Sequence, residues 1–501
     1  MSHDEVTNNL DIDTSNRFSD QPDPTCPDTG ADPGSIRSML AECGTEKFAL
    51  HETYLNKPLV KVLRTIGYDR HYVSGRGAHL WDADGNRYLD LLSGWGTFGI
   101  GRNHPTVRSM LHEVLDLDLP NLPQMDVSQL SGLLARELVK TMPSDRLEKV
   151  FFANSGAEAV EAAIKFARFA TGRGRIVCCD HAFHGLTYGA LSLTGGETFR
   201  KGFGPLLPTV DAVPFNDLPA LERALAAEDV AAFIVEPIQG KGVNIPPAGY
   251  LAGAGRLCKK YGTLFVVDEV QTGIGRTGKF LAIQHEDGIE PDLVILSKSL
   301  SGGYVPVCAV LMKDNIYNKV FSSLDRAVVH SSTFGKSNFA MAAALAAMTV
   351  LDDDDLCANA TAMGNLLGER LSDLVPKYEF IKEVRWRGLM LAVEFGKPKS
   401  LKLRTAWATV NGLNEDLFCQ AITIPLLEDH AILTQVAGNR MTTIKLIPPL
   451  TINEQDVDWF VSGFDKVMAD LHKFPGPAWE SLTRIAKNAL SRPEEKARAT
   501  A

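Results

Sequence analysis

From about residue 104 to residue 330 the chain repeats one pattern, a short apolar run followed by a longer stretch with apolar positions at helical spacing. The runs are KVFFANSG, GRIVCCDH, VAAFIVEP, LFVVDEV and DLVILSK. Such alternation predicts an α/β domain with a large, mostly parallel sheet, because strands covered by helices on both faces are apolar on both faces. The segment SSTFGKSNFAMAAALAAMTVL then predicts a long Ala-rich helix that leaves this domain. Before it, residues 36–72 have helical spacing, and AHLWDADGNRYLDLLSG reads as a hairpin turning at Asp84-Gly85. Residues 355–470 mix helices with the strands GLMLAVEFG and MTTIKLIPPLTI, a second, smaller α+β domain. The boundaries expected are a leader (1–35), an N-terminal segment contributing to the small domain (36–103), the large domain (104–350), the C-terminal small domain (351–474) and a polar tail (475–501).

Length and charge sharpen this picture. At 501 residues the chain is too long for one ordinary core. Its net charge is −10, but residues 1–35 carry eight acids against one base, so most of the excess sits in a leader that reads as disordered. The remaining body is nearly balanced and shows no basic stripe, which argues against a nucleic-acid partner. No apolar run is long enough to span a bilayer, and the acidic leader lacks the features of a signal or transit peptide. The eight cysteines are scattered, with no C-x-x-C pair, as reduced thiols of a cytoplasmic enzyme would be.

Two of the apolar runs end on chemistry. DLVILSK stops on Lys298, and LFVVDEVQ stops on Asp268 and Gln271. Neighbouring strands ending this way put an amine, an acid and an amide on one rim of a parallel sheet, where open α/β sheets bind ligands. A lysine in apolar surroundings becomes a usable nucleophile, and the acid can keep a heterocyclic nitrogen protonated, the arrangement that a pyridoxal phosphate Schiff base requires. Either residue alone is more often an ordinary strand end. The turn Asn154-Ser155-Gly156-Ala157 before a helical run suits a phosphate, and equally suits a plain capping box. In HAFHG, Phe183 is a candidate for stacking on a planar ring; a metal site built on Cys178, Cys179, His181 and His184 lacks a second ligand cluster, so no metal is expected. GIGRTGK imitates a phosphate-binding loop, but Phe280 stands where Ser or Thr would hold magnesium, and the segment reads as a glycine-rich surface loop.

Together, NSGAEAVEAAIKFAR, FHG, EPIQG, DEVQTGIGRTG, ILSKSLSGG and the STF of 332–334 resemble the class III (ω-amino acid) aminotransferases over roughly residues 55–470. Within them SGWGTFGIG, FRKGFGPLLP and PPLTI look closest to the putrescine and acetylornithine/ornithine group. The resemblance implies pyridoxal 5'-phosphate (PLP) and PLP fold type I, the aspartate aminotransferase-like α/β architecture with a large domain and a smaller α+β one. It implies Lys298 as the Schiff-base lysine and proton shuttle, Asp268 at the pyridinium nitrogen and Gln271 at the ring hydroxyl. Phe183 would stack on the ring, Ser155, Gly156 and Ala157 would hold the phosphate, and Glu236 would lie behind Gln271. Thr333 would reach the phosphate of a neighbouring subunit in a homodimer with shared active sites. Trp95, Lys241 and Lys445 would face the substrate.

Two departures stand out on that side. Relatives have EPIQGEGG and Arg-x-x-Pro-Pro-Leu, where this chain has Lys241 in EPIQGKGV and Lys445 before LIPPL. The family's Glu–Arg gate for an α-carboxylate is therefore absent as usually built, and the two lysines are expected to form a doubly basic patch at the substrate mouth. The function implied is ping-pong transfer of an amino group from an amine, terminal in the favoured reading, to a 2-oxo acid or aldehyde. The alternatives are a same-fold aminomutase, decarboxylase or phospho-lyase and, more remotely, a non-catalytic regulator.

Overall fold

The apolar runs become the strands of one seven-stranded sheet in the computed structural model, which describes residues 35–44, 46–121, 126–413, 418–438, 442–476 and 479. The expected leader lies outside the described residues except for Ser35. Three short helices over Ile36–Cys43, Lys47–Tyr54 and Lys57–Thr65 lead into β1 (Tyr72–Arg76), β2 (His79–Asp82) and β3 (Arg87–Asp90). β2 and β3 form the expected hairpin, closed where the Asp82 carboxylate accepts from the N–H groups of Asp84 and Asn86.

The large sheet contains β4 (Lys149–Ala153), β5 (Arg175–Cys179), β6 (Val210–Val213), β7 (Val230–Val235), β8 (Leu264–Asp268), β9 (Leu293–Leu296) and β10 (Cys308–Met312). Their order is β4-β10-β9-β8-β7-β5-β6, and β10 alone runs against the rest. Alternate residues face opposite ways along a strand. Val294 and Leu296 of β9 therefore join one apolar layer and Leu293 and Ile295 the other. The helix Gly156–Thr171 covers the second layer with Ala159, Ala163, Ile164 and Phe166, while the Ala-rich helix Asn338–Asp353 and the helix Tyr250–Tyr261 cover the first. Burial on both faces explains why these runs carry no polar alternation.

The C-terminal part adds β11 (Ile381–Arg387), β12 (Met390–Phe395), β13 (Ile432–Leu433), β14 (Gln435–Ala437) and β15 (Thr443–Leu446). β11, β12, β15 and β14 form an antiparallel sheet, and β13 pairs in parallel with β3, tying the C-terminal part to the N-terminal hairpin. Trp479, within the stretch read as a polar tail, is buried against Phe380, Phe418 and Phe474, so at least this residue belongs to the core. The glycine-rich segment after β8 also departs from the sequence reading. Gly273 to Gly278 are buried, not a surface loop, because the Arg276 guanidinium reaches inward to the carbonyls of Leu389 and Pro448 and joins the large sheet to the C-terminal part.

Candidate active site

The carboxyl ends of β4, β5, β7, β8 and β9 converge on one rim of the large sheet. β8 and β9 are adjacent and parallel, with Asp268 opposite Ile295, so Asp268 and Lys298 leave the same edge. Lys298 is half-buried and starts a 3-10 turn, Lys298–Ser301, in the left-handed region at φ 42°. That conformation is costly for a residue with a Cβ and clusters at functional sites. Burial pushes the Lys298 ammonium below its ordinary value, and the negative Asp268 and Glu236 only partly restore it. The amine is thereby primed to lose its proton.

Asp268 is buried and held from two sides. One oxygen accepts from the Val270 N–H at 3.0 Å, and the other lies 2.7 Å from His184 Nδ1. Burial alone would lower the His184 pKa, but the hydrogen bond to Asp268, with the charges of Asp268 and Glu236, raises it above its ordinary value. Among the described residues, His184 Nε2 is buried without a hydrogen-bond partner. Sequence reasoning missed this residue: it appeared only as a metal candidate, and nothing in the spacing pairs it with an acid 84 positions away. Glu236 lies alongside, accepting from the Phe183 N–H at 2.9 Å and the Gly240 N–H at 2.7 Å. Its burial pushes the carboxyl up, with Asp268 adding to the shift.

The turn after β4 is a helix cap whose remaining N–H groups suit an anion. Ser155 caps Gly156–Thr171 by accepting from the Glu158 N–H at 3.2 Å, as the plain reading required. The first N–H groups of a helix have no partner inside it, and the dipole there favours an anion, so Gly156 and Ala157 keep donors to offer. Gly156 permits close packing, since a Cβ would come within 3.1 Å of Val270. Gly185, at φ 128°, sits where a Cβ would approach the Ala157 Cβ to 2.7 Å, which sets the FHG turn against the helix start. Phe183 is 38% exposed and packs edge-on against Phe199. Thr333 is exposed; beside it, Ser332 accepts at 2.8 Å from Asn154 at the base of the turn, within the same chain.

The substrate-side residues do not form the patch expected of them. Lys445 is buried and donates to Gly240 O and Gln271 Oε1, each at 2.6 Å. Lys241 instead lies 5.7 Å from the centre of the Phe199 ring. The two ammonium groups are spent on different partners because β15 directs Lys445 inward while Lys241 belongs to the loop after β7. Trp95 is 63% exposed, and its carbonyl accepts from Gln271 Nε2 at 3.0 Å. Burial, together with Lys298 and Arg276, pushes Lys445 down to about 7, against the opposing charge of Glu236. The cost of burying its charge is complete below that value and fades as the pH climbs toward 10.5, the ordinary lysine value. Lys445→Met is therefore expected to be most stable, relative to the parent, near pH 6 and to lose that relative gain by pH 10. Melting temperatures of the cofactor-free proteins across this range check it, and a pH-independent difference would contradict a buried, neutral-leaning amine.

Residues 66–468 match the family model described as Aminotransferase class-III. The chain is 36% identical over 486 residues to a Serratia protein named Aminotransferase PigE, covering 89% of this chain. It spans 57% of that relative's length. Among solved structures, an ornithine aminotransferase from Toxoplasma gondii is similar at a TM-score of 0.75 and 30% identity, covering 88% of this chain and 99% of that one. An amine transaminase from an uncultivated Pseudomonas species, solved in a PLP-bound form, is similar at a TM-score of 0.70 and 28% identity, covering 80% and 94%.

Proposed function

The chain belongs to the class-III aminotransferases, and on that premise we propose that it transfers an amino group from a terminal amine to a 2-oxo acid or an aldehyde. PLP is the cofactor, and two copies share their active sites. The observation that carries this reading is Lys298 beside Asp268 at the ends of adjacent parallel strands, with the lysine's charge disfavoured by burial.

The residues fit the cofactor. A buried carboxylate with fixed orientation at Asp268 suits a protonated ring nitrogen, and Phe183 leaves a face of its ring open. The N–H groups of Gly156 and Ala157 suit a phosphate. Gln271 would meet the ring hydroxyl, with Glu236 behind it. When bound, PLP supplies an electron sink that draws electrons from the amine-bearing carbon of the substrate. Lys298 Nζ, its charged form disfavoured by burial, takes and returns the proton at that carbon. Asp268 keeps a negative charge fixed in a site that excludes bulk water, where such a charge acts more strongly.

Sharing of the site by two copies is supported by the apolar side chains left open around it. Trp95, Phe183, Leu186, Tyr188 and Phe334 are all exposed, and such a patch marks an interaction surface. A second copy would cover them and bring its Thr333 toward the phosphate turn. No helix of the described residues is long and apolar enough to cross a membrane, and we place the enzyme in the cytoplasm.

A panel of terminal diamines, ω-amino acids and α-amino acids, each offered with pyruvate, 2-oxoglutarate or an aldehyde, tests the reading. The expected result is one amine formed for each carbonyl, with no turnover when the acceptor is omitted. Acceptor-independent turnover would replace transfer with a mutase, decarboxylase or lyase reaction.

A further inference from the structure

Gln271 is held at both ends of its amide. Lys445 Nζ meets Oε1 at 2.6 Å, and the Trp95 carbonyl meets Nε2 at 3.0 Å. The Trp95 carbonyl can only accept, and Lys445 Nζ, whose other hydrogen bond goes to Gly240 O, donates to Oε1, so this pair of partners favours one orientation of the amide over the flipped one. The surroundings keep the clamp in register. Lys445 is central in its sheet, opposite Ala392 on β12 and Gln435 on β14, and its second hydrogen bond goes to Gly240 O at 2.6 Å. Gly240 leaves room for this amide, since a Cβ there would come 2.3 Å from Gln271 Oε1 and push it aside. At the other end, Ser93, Gly94, Trp95 and Gly96 all have positive φ (44°, 61°, 58° and 87°), and Ser93 Oγ donates to Ile447 O at 2.5 Å. The strand end that carries Lys445 therefore also anchors the turn that presents the Trp95 carbonyl.

We propose that Lys445 is a positioning residue that locks the Gln271 amide with its oxygen occupied, so that Gln271 meets the cofactor's ring oxygen as a hydrogen-bond donor. Lys445 is thereby consumed inside the protein and does not clamp a substrate carboxylate. The inference rests on the reading of Gln271 given above. A donor at the ring oxygen favours its deprotonated form. Without Lys445 the Trp95 carbonyl alone favours that orientation, so the flipped amide becomes populated, the donor at the ring is lost part of the time, and the pH midpoint of the bound cofactor's visible band rises.

The test is a double-mutant cycle on the PLP-loaded enzyme, read as that midpoint by absorbance and not as activity. Lys445→Met is expected to raise the midpoint by on the order of one pH unit. Gln271→Leu should raise it at least as far, and the double variant no further than Gln271→Leu alone. Gln271→Glu, which keeps a partner for Lys445 and removes every side-chain N–H, should also raise it, and tests the donor role even if Lys445→Met does not fold. Additive shifts would mean that Lys445 acts by its own charge, and would overturn the proposal. So would a shift in Gln271→Leu without one in Lys445→Met. If Gln271→Leu leaves the midpoint in place, Gln271 is not at the ring, and the preceding reading of that residue falls with the inference.

Discussion

Replacing Lys298 by alanine is expected to lower turnover by at least about a thousandfold while the protein still binds PLP. Proton transfer by a positioned side chain contributes roughly a hundredfold to ten-thousandfold, and Lys298 is also the candidate for the covalent link. Its surroundings explain why no neighbour substitutes for it. Lys445, the other lysine whose charge it feels, is tied to Gly240 and Gln271 and cannot swing over without breaking both hydrogen bonds. Borohydride reduction of the loaded parent should fix the cofactor to the peptide containing Lys298, and the variant should show no such label. Small free amines should restore part of the lost rate, since they supply the missing base without the tether. Unchanged turnover in Lys298→Ala, or label on another lysine, would remove this residue from the chemistry.

The candidate rim was legible because parallel strands advertise themselves. β8 is apolar until Asp268 and β9 is apolar throughout, with Lys298 two residues past its end, so both polar residues stand out, and neighbouring parallel strands must end on the same edge. What stayed hidden depends on packing between distant segments. His184 meets Asp268 because β5 and β8 lie either side of β7, an order that no local pattern reveals. Lys445 read as a substrate-side cation because it stands where relatives carry the carboxylate-clamping arginine, and only the pairing of β15 with both β12 and β14 turns it inward. Arg276 sits among glycines that suggest a surface turn, yet two carbonyls from the C-terminal part draw it into the interior. In each case a partner remote in sequence decides where the side chain goes.

Asp268→Asn tests whether the acid works by charge or merely closes a strand, since the change keeps the shape and removes the charge. In the parent the carboxylate is buried, accepts from Val270 N–H, and sits 2.7 Å from a histidine whose pKa it raises. Here a fixed charge is screened little, so its loss is expected to slow the half-reaction with amine by about a hundredfold to a thousandfold, the range seen when one preorganised electrostatic group is removed. The variant should keep its fold, because the amide still accepts from Val270 and can still pair with the imidazole. His184 supplies the internal control. With Asp268 uncharged, only Glu236 opposes the burial of the imidazolium, so the His184 pKa should fall relative to the parent. His184→Gln leaves the carboxylate in place and should cost far less in rate than Asp268→Asn. If the acid is only a strand cap, Asp268→Asn will keep the parent's half-reaction rate. If His184 carries the effect, His184→Gln will match the asparagine variant, and the charge of Asp268 will have to be given up as the origin of the acceleration.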